Sequence, residues 1–238
     1  MSSAVTYSLE DSVAWITVDD GKVNALSSAT FARLNAAFDQ AEADHAVVIL
    51  GGRPGIFSAG FDLTVLRGGG PDAVPMLQSG FTLAERMLAF PTPVVAACTG
   101  HAIAMGVFLV LSADYRIGVS GPFRITANEV AIGLTMPRAA IEICRQRLAP
   151  AQFNRAVLLA ENFSPEEAVA AGFLDRVVDS ADLAETATDA ARLLTRLDAQ
   201  AHRNTKRRAR ARLLADLRAA IEQDGAELEA LEAPVPAS

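Results

Sequence analysis

Between Val94 and Leu111 the chain runs for 18 residues without a formal charge, the lower limit for a transmembrane helix. The run opens after Pro91 and Pro93 and is interrupted by Thr99-Gly100-His101. It therefore reads as a buried strand from Val94 to Cys98, a glycine-containing turn and a buried helix ending near Ser112. A chain of 238 residues with 51% apolar side chains is long enough to build a core around such a segment. The same composition excludes a disordered chain.

The remaining elements follow an α/β order. Val5 to Leu9 and Val13 to Asp19 have strand composition, with a turn at Asp20-Gly21. Ser27 or Ser28 caps a helix whose Phe31, Leu34 and Phe38 have helical spacing. Val47 to Leu50 is a continuous apolar run ending at Gly51-Gly52, the pattern of a buried strand. Phe81 to Phe90 reads as helix, and Tyr115 to Val119 and Phe123 to Thr126 as strands. Beyond Pro137 helix dominates: Ser164-Pro165-Glu166-Glu167 is a capping box, Gly172 ends that helix, and Leu174 to Val178 is a short strand. Long helices are predicted over Asp182 to Leu197 and Ala201 to about Glu222. Loose chain is expected at the glycines and proline of 68–71 and in the tail 232–238. The division is an α/β core over 1–180 and a helical region over 181–238.

Charge and cysteine content set further bounds. Lys and Arg number 21 against 28 acids, a net charge of −7, which argues against a dedicated nucleic-acid binder. Six of those cations crowd between Arg203 and Arg212 without an aromatic platform beside them. Cys98 and Cys144 make no disulfide framework, and MSSAVTYSLEDS has no secretory pattern, so a cytoplasmic setting is expected.

Several motifs for specific chemistry are broken. Gly55 to Gly60 has the outer glycines of a phosphate loop, but Phe61 and Asp62 stand where Lys and Ser or Thr are needed. Ser58 is not in a nucleophile elbow, because Ile56 takes a required glycine position. His45, His101 and His202 have no metal-ligand spacing, and no metal site is expected. What survives is a pair of strand-to-helix turns, Phe57 to Leu63 and Thr99 to Gly106. Small residues in both let backbone N–H groups approach one ligand oxygen, as in an oxyanion hole. Each turn alone is an ordinary α/β connection.

Together these segments resemble the crotonase family of enoyl-CoA hydratases and isomerases. The matching stretches are Lys22 to Leu26, Phe57 to Leu63, Thr99 to Gly106, Asp114 to Ile117, Asn128 to Leu134 and Ala171 to Val178, in family order over about residues 5–215. The resemblance implies a ClpP-like α/β fold with a repeated ββα core and a C-terminal helical region used for trimerisation. It further implies an acyl-CoA thioester substrate, with coenzyme A part of the substrate and no separate cofactor, and a homotrimer or hexamer. By position, the N–H groups of Phe61 and Met105 would hold the thioester oxygen, Met105 standing where the family commonly has glycine. Lys22, Val23, Ala25, Ala59, Asp62 and Leu63 fall at substrate positions. Lys206 falls where the family reaches CoA phosphates.

Family hydratases use two glutamates. The first position here is Phe108; the second is matched by Glu129, with Asn128 as the alternative because the preceding stretch is one residue longer than in typical hydratases. A single carboxylate suits proton transfer within an enoyl-CoA better than hydration. The expected activity is 3,2-enoyl-CoA isomerisation in fatty acid or related acyl-CoA metabolism. Enoyl-CoA hydratase (a lyase) and a non-catalytic acyl-CoA-binding homologue stay open. By the resemblance Asp62 takes a structural or adenine-pocket role rather than that of the base, and Asp114 is expected to be a buried, hydrogen-bonded turn residue.

Overall fold

The computed structural model describes residues 4–68, 70 and 72–232, so the expected looseness of residues 69, 71 and 233–238 falls outside the described residues. A hairpin opens the fold, β1 (Val5–Glu10) and β2 (Val13–Val18), turning through Asp11 and Ser12. Both turn residues have positive φ, which matches the hairpin's right-handed twist. Then come β3 (Ala25–Leu26), α1 (Ser28–Ala43) and β4 (Val47–Gly51). Ser27 caps α1 by accepting from Thr30 N, and Phe31, Leu34 and Phe38 are buried as their spacing predicts.

The chain continues through β5 (Gly55–Ser58), β6 (Gly60–Phe61), α2 (Leu63–Gly68) and α3 (Ala73–Ala89). Next are β7 (Val94–Cys98), β8 (Gly100–Ile103), α4 (Met105–Leu111), β9 (Tyr115–Val119) and β10 (Ile125–Thr126). After a 3-10 turn at Val130–Ile132 follow α5 (Arg138–Arg145), α6 (Pro150–Leu158), α7 (Pro165–Ala171) and β11 (Arg176–Val178). The last elements are α8 (Leu183–Leu194), α9 (Ala199–Ala209) and α10 (Ala211–Glu232).

Six strands form one sheet in the order β1-β2-β4-β7-β9-β11, parallel from β2 onward. Its central strands are buried on both faces, which explains their unbroken apolar sequences. Alternation divides the side chains: Val48, Leu50, Val94, Ala96 and Cys98 enter the larger core, and Val47, Ile49, Val95 and Ala97 the smaller one. α8 covers that smaller core with Leu183, Ala187 and Ala191. The first helix beyond residue 180 is thus a layer of the sheet sandwich, and α10 packs against α3 and α5.

Three times a strand of this sheet leads into a strand of a second, three-stranded sheet, in the order β10-β8-β5. The pairs are β4–β5, β7–β8 and β9–β10, each followed by helical structure. This is the repeated ββα core that the family resemblance implies. The sequence missed β8, read there as a turn, and of the strand expected over 123–126 the structure keeps only Ile125–Thr126. The long helix predicted from Ala201 breaks at Arg210, whose guanidinium reaches Leu88 O at 2.9 Å and Asp114 Oδ1 at 2.9 Å. Among the described residues no helix is long and apolar enough to cross a membrane.

Candidate active site

The two strand-to-helix turns meet at Gly60. A Cβ built there would lie 2.8 Å from Ala104 Cβ, 2.9 Å from Ile103 O and 3.2 Å from Met105 N. Only glycine fits, and its φ of +91° is also outside the comfortable range of other residues. Just after β6, Asp62 N donates to Leu26 O at 3.1 Å. Alternation along the strand therefore turns the neighbouring Phe61 N–H away from β3. Met105 is the first residue of α4, where an N–H lacks a partner inside the helix. Two backbone donors thus flank Gly60. Met105 itself is helical; the strained conformation falls on Ala104, with φ +50° and ψ −125°. Ala104 N is anchored on Thr126 O of β10 at 3.0 Å.

The Phe61 side chain points into the core, edge-on to Phe31 and Phe81 at centroid distances of 5.8 and 5.9 Å. Its ring lies over Gly80 of α3, where any Cβ would come within 2.6 Å of it. Gly80 is a site-supporting residue that the sequence pattern did not reveal, since a glycine inside a helix carries no label for the ring it admits.

Glu129 begins the 3-10 turn three residues after Thr126 and is 6% exposed. Its Oε2 is fully buried without a hydrogen-bond partner, as are Thr126 Oγ1 and Asn128 Oδ1. Burial pushes the Glu129 carboxyl from its ordinary 4.5 up to about 7, opposed only by its own backbone amide. Cys144 of α5 lies close enough for the Glu129 charge to help push that buried thiol further up. Phe108 is fully buried on α4 and its ring lies 6.1 Å from that of Phe81.

Around the first turn, Asp20 organises the loop carrying Lys22, Val23 and Ala25. Its carboxylate accepts from Lys22 N, Asn24 N and Ala25 N at 2.7, 2.9 and 3.1 Å. Burial pushes Asp20 up, but those three N–H groups outweigh it and hold the carboxyl below its usual range. Ala59 N donates to Val23 O at 3.0 Å, tying the loop to the turn. Val23 and Leu63 are exposed beside it, 51% and 39%. Asp62 accepts from Thr64 N at 2.9 Å and so starts α2.

Lys206 requires a correction. It is 6% exposed, and its Nζ lies 2.6 Å from Asp114 Oδ2 and 3.4 Å from Thr92 O. An ammonium already enclosed and paired inside its own chain is not presented to a CoA phosphate. Burial lowers its pKa to about 8 despite Asp114. Asp114 takes the expected structural role, also accepting from Val94 N at 2.8 Å. The basic cluster thereby has part of its explanation: Lys206 and Arg210 fasten the C-terminal helices to the start of β7 and the end of α4. A cleft of about 860 Å³ between α5 and α10 is lined by Arg138, Arg145, Arg212 and Asp216 among others and holds none of the residues around Gly60.

A sheet whose strands spill three times into a second small sheet, with two strand-to-helix turns meeting at Gly60, is the crotonase fold. The family model "Enoyl-CoA hydratase/isomerase" matches residues 8–233. A family protein of known structure from Pseudomonas syringae is 51% identical, covering 94% of this chain and 98% of that one, with TM-score 0.93. A Mycobacterium tuberculosis protein is 45% identical over 97% and 98% of the two chains, with TM-score 0.93, and is described as a probable enoyl-CoA hydratase. A second structure of it is described as an enoyl-CoA isomerase. Human mitochondrial delta3-delta2-enoyl-CoA isomerase is 26% identical, covering 97% of this chain and 92% of that one, with TM-score 0.91. The chain belongs to the enoyl-CoA hydratase/isomerase family, whose members act on acyl-CoA thioesters.

Proposed function

We propose that the protein is a 3,2-enoyl-CoA isomerase in which Glu129 shuttles one proton. The observation that carries this reading is the pairing of one buried carboxylate, whose Oε2 has no hydrogen-bond partner, with a phenylalanine at position 108. Hydration needs a water activated on one side and a proton delivered on the other, work for two groups. Migration of a double bond needs one. The Glu129 carboxylate removes a proton from C2 of a 3-enoyl-CoA, and the electrons pass into the thioester oxygen. That oxygen is held by Phe61 N–H and Met105 N–H, preorganised donors each worth about 10²–10³ in rate. Electrons return from the dienolate, C4 takes the proton from Glu129, and the product is a 2-enoyl-CoA. A carboxyl with pKa about 7 is suited to both halves of the cycle at neutral pH.

Lys22, Val23, Ala25, Ala59 and Leu63 would form the lip that receives the CoA arm, near the first turn. The likeness to two proteins described as isomerases supports the direction of the reaction. Assembly into a trimer or hexamer is part of the proposal, supported by the exposure of Leu158 and Leu159 at 59% and 72%.

Purified wild type and Glu129→Gln, each offered a 3-enoyl-CoA and separately a 2-enoyl-CoA, test the reading. Isomerisation lost in the variant is the expected result. Rapid hydration of the 2-enoyl-CoA that survives Glu129→Gln overturns it in favour of a hydratase. Binding of both esters with no turnover favours a non-catalytic homologue.

A further inference from the structure

Ser58 is buried, 2% exposed, and its hydroxyl is engaged both as donor and as acceptor. It donates to Asn24 O at 2.7 Å and accepts from Gly60 N at 3.0 Å. We propose that Ser58 is the positioning residue that aligns the two backbone donors of the thioester site with each other. The proposal rests on the thioester-site reading above, but not on whether the reaction is isomerisation or hydration.

On one side, the hydroxyl fixes the N–H of Gly60, the residue whose positive φ sets where the Phe61 N–H points. On the other, Ser58 supports α4. A Cβ on Gly106, one residue after Met105, would come within 2.6 Å of Ser58 O and 2.9 Å of Ser58 Cβ. So the first turn of α4 rests on Ser58, which also lies opposite Ala102 of β8 beyond a register shift in β5. One residue therefore sets the height of both turns.

Its own position is held from below. Asn24, fully buried with φ +53°, donates from Nδ2 to Val18 O at 2.8 Å and to Phe57 O at 3.1 Å. Its Oδ1 accepts from Asp20 N at 3.0 Å. The Asn24 carbonyl that receives the Ser58 proton is thus rigid. A serine hydroxyl has one proton to give, and here a fixed backbone oxygen takes it. This also accounts for a Ser58 that does not act as a nucleophile.

The test uses full-length wild type, Ser58→Ala and Ser58→Cys, which keeps the shape with a weaker donor and acceptor. Two readouts are taken: steady-state kinetics with a 3-enoyl-CoA, and the infrared carbonyl stretch of bound, carbonyl-labelled hexanoyl-CoA. The saturated ester cannot react, so its frequency reports polarisation by the two N–H groups alone. For Ser58→Ala we expect kcat to fall about 10–100-fold, KM to stay within about threefold, and part of the carbonyl shift to vanish. Ser58→Cys should lie between the two. If the alanine variant does not fold, the cysteine variant carries the same readouts. A wild-type shift undiminished in the folded variants overturns the role of Ser58 alone, even if kcat falls. A wild type that leaves the carbonyl unshifted overturns the thioester-site reading and this role with it.

Discussion

Glu129 should cost the protein stability at the pH where it works. Its carboxyl rises from 4.5 to about 7 on folding because burial strips water from it, and its own backbone amide only partly offsets that. The folded state therefore favours the protonated acid. A raised carboxyl pKa leaves stability intact below about pH 4.5 and removes it progressively as pH climbs through about 7. The full difference corresponds to about 3 kcal/mol, reached by about pH 8. Glu129→Gln replaces the carboxylate with a neutral group of the same shape. It should be more stable than wild type by about 3 kcal/mol at pH 8, seen as about 6–12 °C in Tm, and within about 1 kcal/mol at pH 5. Urea titrations of both proteins at the two pH values measure this directly. A variant less stable than wild type at pH 8, or a difference that does not change with pH, refutes the argument. Either result would mean that the ionised Glu129 has a partner in the folded protein. The same ionisation governs turnover: kcat of the wild type should rise with pH through about 7, since the base must lose its proton first.

Three other outcomes follow from particular contacts. Lys206→Ala leaves Asp114 with only Arg210 in a buried cluster, so it should cost about 3 kcal/mol in urea unfolding. Its affinities for a CoA ester and for the corresponding pantetheine ester should change equally; a selective loss for the CoA ester would return Lys206 to the phosphates. Gly60→Ala forces a methyl against Ala104 Cβ and Ile103 O and moves both donors, so kcat should drop at least about 100-fold. Ser164→Ala removes the side-chain half of a capping box, in which Glu167 N donates to Ser164 Oγ at 3.2 Å, and leaves the residue-164 N–H on the Glu167 carboxylate. That change should cost about 1 kcal/mol, or about 2–4 °C in Tm, without altering kcat.

The sequence by itself determined whatever depends on neighbours along the chain. Val47 to Leu50 and Val94 to Cys98 are legible as buried strands because a strand covered on both faces needs apolar residues at every position. The caps at Ser27 and Ser164 and the glycine stop at Gly172, with φ +95°, are local hydrogen-bond and backbone matters, and they stand where the residues placed them. The two small-residue turns were visible for the same reason.

Only the tertiary structure decided what those turns and charges meet. Gly60 is indispensable because Ala104 lies against it, and Gly80 because the Phe61 ring crosses it; neither neighbour is near in sequence. Glu129 differs from an exposed loop carboxylate through burial alone, which its neighbours Val130 and Ile132, both exposed, do not announce. Lys206 is the sharpest case. In the sequence it belongs to a run of cations facing no visible partner, whereas its counter-charge, Asp114, is separated from it by 92 positions and is met only when α9 folds back onto the core. A charge run is written in the chain; the partner that neutralises it is chosen by the fold.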